Sequence, residues 1–115
     1  MWVVMLEKDF QAAVVELARW HGWKVHHTRT VQIAGGGWLS PGLDKGFPDL
    51  VLARDGDVIV AELKTDNGRL TVSQGEWLKV LGTVVEAVVW RPRDMSLIHE
   101  RLAPIRSHVR RSHRV

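Results

Sequence analysis

Two carboxylates come close together if a tight turn joins the two apolar runs that carry them. The runs at 49–54 and 58–64 are connected by an Asp-Gly-Asp sequence at 55–57, and Asp-Gly is a strong signal for a two-residue hairpin turn. In that register Asp49 faces Glu62, and directly opposed Cβ atoms are about 5 Å apart. The two carboxylates then repel each other strongly unless a shared proton or a cation lies between them.

A hard divalent cation relieves this repulsion better than a proton and suits oxygen ligands. Mg²⁺ usually takes one or two carboxylates and keeps several waters, so Asp49 and Glu62 suffice as anchors, and Mn²⁺ is expected to substitute. Lys64 follows Glu62 by two residues and therefore shares its strand face. Its side chain can orient a metal-bound water as the ammonium, or deprotonate it as the neutral amine. This combination indicates phosphodiester hydrolysis.

The elements that position these residues follow from hydrophobic spacing, which predicts an α/β fold in the order α-β-β-β-α-β-α. Strands on either side of a helix form a crossover pair, which is parallel in nearly all known cases, whereas the hairpin before them is antiparallel. The expected architecture is a mixed central sheet flanked by helices. The predicted helices are 6–21, 73–81 and 94–104, and the predicted strands are 23–30, 49–54, 58–64 and 83–91.

Two local signals refine this prediction. Ser73 and Glu76 have the spacing of a capping box, so the second helix is expected to open there. The segment 34–46 contains five glycines and a proline, which predicts a long surface loop. A loop of this size beside a catalytic edge could track a substrate.

Four of the six tryptophans divide into two groups. Trp23, Trp77 and Trp90 lie in predicted strands and helices and are expected in the core. Trp38 lies in the glycine-rich loop, where its ring could stack on an unpaired base.

Length and composition indicate one globular domain. A chain of 115 residues with 45% hydrophobic and 25% charged residues is expected to form a single domain over 1–105. The absence of cysteine excludes disulfides and cysteine zinc sites. The apolar stretch 1–6 is too short to span a bilayer and lacks the pattern of a signal peptide. We therefore expect an intracellular, cytoplasmic protein without a membrane partner.

The basic character of the chain is concentrated at its end. Residues 1–100 carry 11 Lys and Arg against 13 Asp and Glu, whereas 101–115 carry five Arg and no acid. The segment 106–115 is predicted to be a flexible arm that binds a phosphate backbone. The alternative is a solvated terminus that only aids solubility. The arginines proposed for DNA binding are Arg106, Arg110, Arg111 and Arg114.

Several residues in this order resemble a known nuclease signature. Gly46-Phe47-Pro48-Asp49, followed after a hairpin by Glu62-Leu63-Lys64, resembles the PD-(D/E)XK motif, and the element order is similar to that of its restriction-endonuclease-like core. With Glu7 at the start of the first helix and Gln74 in the second, the pattern resembles more narrowly the virus-type replication-repair nuclease domain, VRR-NUC. It is most similar to the stand-alone, phage-like members.

The resemblance assigns roles to individual residues. It implies that Asp49 and Glu62 are metal ligands, that the Leu63 backbone carbonyl is a third ligand, and that Lys64 is the catalytic lysine. Glu7 and Gln74 would complete the catalytic set, with Glu7 also a metal ligand, directly or through water. From the residues alone, Glu7 is equally a favourable acid in a first helical turn, and Gln74 a good helix former in a capped turn.

The resemblance also implies an activity: Mg²⁺- or Mn²⁺-dependent endonucleolytic cleavage of branched DNA, with Holliday-junction resolution by a homodimer, in a bacterial or phage-infected cell. No small-molecule cofactor is expected. Besides the tail arginines, Trp38 and Lys45 are expected to contact DNA. Two alternatives remain at this point: a non-catalytic nucleic-acid-binding module on a nuclease scaffold, and a nicking or exonuclease activity on ordinary DNA.

Overall fold

The elements of the fold follow the predicted order. The structure, a computed structural model, describes residues 6–28, 31–32, 38–39 and 44–104. It confirms the α/β class and the order α-β-β-β-α-β-α, with two additional short strands and a 3₁₀ turn at Pro92–Asp94. The helices are α1 (Glu7–Trp20), α2 (Val72–Leu81) and α3 (Met95–Leu102), and the strands are β1 (Lys24–His27), β2 (Val31–Gln32), β3 (Trp38–Leu39), β4 (Leu50–Arg54), β5 (Asp57–Leu63) and β6 (Glu86–Trp90).

The main sheet is mixed, as predicted. Its strand order is β1-β4-β5-β6, in which β5 and β6 are parallel and the other pairs antiparallel. Arg54 pairs with Asp57 and Leu50 with Ala61, which confirms the register predicted from the Asp-Gly turn. The glycine-rich segment 34–46 is not a loop throughout, since β3 pairs with β2 in a separate two-stranded sheet.

The core lies between the sheet and helices α1 and α3. Phe10, Val14 and Ala18 recur at helical spacing on α1 and are fully buried, and β5 is buried continuously from Ile59 to Leu63. Because β5 is central and covered, it has apolar side chains on both faces. A charged residue near its end is therefore an exception that needs a partner or a function.

The prediction for the tryptophans is confirmed for two and wrong for the third. Trp23 and Trp90 are buried, and the Trp23 Nε1–H donates to the Leu102 carbonyl at 2.9 Å. Trp77 is only half-buried and has its ring 5.1 Å from that of Phe47, at 77°. Trp77 lies outside the core because α2 has no buried residue at all.

The N-cap of α2 lies two residues before the predicted cap at Ser73. It is Thr71, whose hydroxyl accepts from the Gln74 N–H at 3.1 Å, while Gln74 Oε1 accepts from the Thr71 N–H at 2.9 Å. The capping box is therefore Thr71 with Gln74, and the assignment to Ser73 with Glu76 is wrong. Both pairs have the required spacing, so the sequence pattern alone does not separate them.

The other boundaries shift by a few residues. Strand β6 begins at Glu86, three residues after its predicted start at 83, because Val84 and Val85 donate to the Leu81 carbonyl in a turn after α2.

Among the described residues, none of the helices has the length and hydrophobicity that a membrane span requires.

Candidate active site

The hairpin β4–β5 brings Asp49 and Glu62 together. Asp49 immediately precedes β4, and Glu62 is the penultimate residue of β5. Asp49 Oδ2 accepts a hydrogen bond from the Leu63 backbone N–H at 2.8 Å, which ties its carboxylate to the end of the neighbouring strand. The predicted opposition of the two acids is therefore present.

Glu62 is buried but incompletely hydrogen-bonded. The residue is 2% exposed, and its Oε2 accepts from Gln74 Nε2 at 3.0 Å and lies 3.5 Å from the Lys64 ammonium nitrogen. No hydrogen-bond donor among the described residues reaches its Oε1, which is also buried. A buried carboxylate oxygen without a donor is costly, so this atom marks a place where a ligand is expected.

The surroundings of Glu62 favour its protonated form. Its pKa is raised from 4.5 to about 8, mainly by burial and further by the charge of the neighbouring Asp49 carboxylate. The Lys64 ammonium group lowers the pKa but does not compensate for these two effects. A protonated Glu62 can also share its proton with Asp49 by a hydrogen bond. In the absence of a cation, the pair therefore retains a proton near neutral pH.

This donor set fits a hard divalent cation. A cation between the carboxylates would replace the shared proton and use the Oε1 atom that lacks a donor. Two carboxylates match the usual protein contribution to a Mg²⁺ site. Across the described parts of the chain, no cluster of three or more acidic or histidine side chains is positioned to hold a metal. Glu7 as a direct third side-chain ligand therefore stays a prediction, as does the Leu63 carbonyl.

The site opens into a cleft of about 910 Å³ between α1 and the β4–β5 hairpin. Glu7 is exposed in the first turn of α1 and lines this cleft. The cleft thus contains all five residues predicted to be catalytic, together with Leu63. The five are Glu7, Asp49, Glu62, Lys64 and Gln74.

His27 and Thr28, at the end of β1, line the cleft, although sequence reasoning placed neither in the site. His26 and His27 are expected from the sequence to be packing or surface residues rather than ligands, and the position of His27 on the cleft wall is compatible with that. Thr28 donates from its N–H to the Asp49 carbonyl at 2.7 Å and from its hydroxyl to the Pro48 carbonyl at 3.1 Å. Thr28 thus fixes the backbone at Asp49. No local sequence pattern indicates this role, because it arises from the pairing of β1 with β4.

Gly46 lets the loop before Asp49 dock on α2. Its φ is +88°, and a Cβ built there would lie 2.6 Å from Ser73 atoms and 2.8 Å from the Gln74 nitrogen. Only glycine fits so close an approach without strain. The same turn of α2 presents Gln74 to Glu62, so Gly46 couples the position of the loop to that of the Glu62 partner.

The predicted DNA-binding residues are only partly described. Lys45 is exposed and immediately precedes Gly46. The side chain of Trp38 and residues 105–115, which include the four tail arginines, lie outside the described residues. Their roles, and the boundary between a domain at 1–105 and a tail at 106–115, stay predictions.

Comparison with known proteins gives no relative for this chain. No protein-family model, curated protein or solved structure matches it. The resemblance to VRR-NUC nucleases therefore rests on the quoted residues alone, and the geometry of the cleft is the basis for inferring a function.

Proposed function

We propose that this protein is a Mg²⁺- or Mn²⁺-dependent deoxyribonuclease. The observation that supports this most directly is the pairing of a buried Glu62 with Asp49 beside it, with no donor from the described part of the chain for one Glu62 oxygen. A binding module gains nothing from clustered negative charge facing phosphate. Lys64 on the same strand face supplies the positive group that phosphodiester hydrolysis needs.

Each residue has a distinct part in this proposal. Asp49 and Glu62 would hold the cation, with the Leu63 carbonyl as a third ligand and Glu7 acting directly or through water. A bound divalent cation would supply a water of lowered pKa and neutralise phosphate charge. Lys64, within 3.5 Å of Glu62, would stabilise the negative charge that develops on the phosphate. Gln74 holds the Glu62 side chain by its hydrogen bond.

The proposed substrate is branched DNA such as a Holliday junction, cut endonucleolytically by a homodimer inside the cell. The resemblance to stand-alone VRR-NUC domains supports this choice. A domain of this size covers only a short stretch of duplex, and two-fold symmetry is an economical way to place two sites on two strands. Comparing the products from four-way, flap and linear DNA would separate this activity from nicking or exonuclease action.

The test is a cleavage assay with one lysine substitution and a matched control. Labelled four-way junction, flap and linear duplex are incubated with the wild type and with Lys64→Ala, in Mg²⁺, Mn²⁺ or EDTA. The control is Lys24→Ala, since Lys24 is exposed on β1 and does not line the cleft. Circular dichroism verifies that each variant is folded.

We expect cleavage by the wild type and by Lys24→Ala with either cation, and none with EDTA. Lys64→Ala should reduce the rate by roughly 10²–10⁴-fold and leave DNA affinity nearly unchanged. Full activity of Lys64→Ala would remove its catalytic assignment. Binding of DNA by the wild type without cleavage in either cation would identify a non-catalytic module instead.

A further inference from the structure

A second depression lies directly beside the cleft. It has a volume of about 320 Å³ and is lined by Lys45, Ser73, Glu76, Trp77 and Val80. Four of these residues belong to α2, whose apolar side chains are not buried in the core. Val80 is 64% exposed, so this side of α2 is open to a ligand.

The two depressions share their walls. Gly46 and Phe47 line the cleft, whereas the preceding Lys45 lines the second depression. On α2, Gln74 lines the cleft and the adjacent Ser73 lines the second depression. Adjacent residues of the loop and of α2 thus line the two depressions, and they meet where Gly46 approaches Ser73 and Gln74 closely, since an added Cβ would lie 2.6–2.8 Å from them. A DNA strand bound at Asp49 and Glu62 would reach the second depression by passing over this close approach.

The chemistry of the second depression matches a nucleotide. The half-buried indole of Trp77 lines the depression and packs edge-to-face on Phe47, with the ring centroids 5.1 Å apart, so an aromatic ring is available there. Aromatic surfaces stack on any base, because every base has a π-face. Lys45 is an exposed cation at the rim and complements a backbone phosphate. The Glu76 carboxylate can accept from an exocyclic amino group of a base.

We propose that this depression binds an unpaired nucleobase of the substrate strand, next to the phosphate that is cleaved. Trp77 stacks on the base, and Lys45 contacts its phosphate. This assignment rests on the proposed nuclease function, since it takes the occupant to be the strand bound in the cleft. It adds a substrate contact at a tryptophan that the sequence pattern places in the core.

The test is a scan of abasic sites combined with substitutions. Affinity is measured in the Lys64→Ala background for a flap duplex in which one nucleotide at a time is abasic. We expect one position to lower affinity roughly 5- to 150-fold, the range for loss of one stacked base. Adding Trp77→Ala should abolish the difference at that position alone.

The matched control is Trp20→Ala. Trp20 is 83% exposed on α1 and lines neither depression, so its removal should leave the abasic effect unchanged. Trp77→Phe retains an aromatic ring and should keep part of the effect, which provides a second readout if Trp77→Ala does not fold. Lys45→Ala should lower affinity for intact and abasic DNA alike and reduce the salt dependence.

Two results would overturn the proposal. The first is an abasic effect that persists with Trp77→Ala and Trp77→Phe, and the second is no abasic effect at any position. If the second result is accompanied by a change of oligomeric state with Trp77→Ala, the depression is a protein interface instead. The scan measures binding at every position and is therefore independent of cleavage. Failure of the nuclease proposal would appear as a wild type that is inactive in Mn²⁺, whatever the scan shows.

Discussion

Among the residues of the proposed metal site, Glu62 has the least favourable surroundings. A carboxylate on the central strand of a covered sheet is unfavourable unless it is neutralised, and Glu62 has Gln74 and Lys64 on one oxygen and no described donor on the other. Neighbouring Asp49 makes its ionisation still less favourable. The site is thus electrostatically incomplete without a cation or a proton.

The raised pKa of Glu62 predicts how stability changes with pH. Because this pKa is raised from 4.5 to about 8, the folded state holds a proton that the unfolded state releases above pH 4.5. The resulting stabilisation is fully present below pH 4.5 and is lost as the pH rises to about 8. Without metal, the melting temperature of the wild type should fall across this window relative to that of Glu62→Gln.

Thermal melts in EDTA over this pH range test the prediction. Glu100→Gln is the control, since Glu100 is exposed on α3 and its substitution should leave the wild-type pH profile unchanged. Parallel profiles for the wild type and Glu62→Gln would mean that Glu62 is ionised throughout.

At the scale of elements, the docking of the 44–48 loop on α2 sets the geometry of the site. Gly46→Ala should lower the free energy of unfolding by about 1–3 kcal/mol, because alanine is strained at positive φ and its Cβ would contact Ser73. It should also weaken Mn²⁺ binding, since Gln74 lies in the same turn. Chemical denaturation and calorimetric titration measure the two effects.

Gly75→Ala is the matched control for that experiment. Gly75 lies inside α2, where an added Cβ meets nothing within 4 Å. Alanine there should raise the free energy of unfolding by about 0.5–1 kcal/mol. Equal effects of the two substitutions would show that the loop does not depend on close contact at Gly46.

The sequence predicts those elements whose signals are local. The Asp-Gly turn fixes the register of β4 and β5, and with it the approach of Asp49 to Glu62. The start of α2 could not be predicted, because Thr71 and Ser73 both begin a pattern with the spacing of a capping box. In the structure, the cap at Thr71 is accompanied by the contact of Gln74 with Glu62 and by the close approach of Gly46 to α2. The spacing of residues in the sequence does not encode such tertiary contacts.

The same reasoning explains why the prediction of Trp77 as a core residue is wrong. A helical apolar pattern predicts that one face of α2 is apolar, but it does not show whether another element covers that face. Trp77 packs on Phe47 from the loop and remains half-buried. The contribution of Thr28 to the site likewise depends on the pairing of β1 with β4, which joins residues far apart in the sequence.

At the scale of the whole molecule, charge is divided between the body and the C-terminal segment. Residues 1–100 carry a small excess of acids, whereas 101–115 carry five arginines. Deleting 106–115, which contains four of them, should weaken DNA binding and reduce the slope of log K against log salt by up to about 3–4. Affinity measured at several salt concentrations tests this, and an unchanged slope would show that the segment does not contact phosphate.

Crystals of the protein soaked in Mn²⁺ at a pH above 8, where Glu62 is ionised, would decide whether Asp49 and Glu62 bind a cation. We expect an anomalous difference peak bonded to oxygens of both residues, and no such peak in Glu62→Gln. A pair of carboxylates without a peak, or the same peak in the variant, would contradict the assignment of this site.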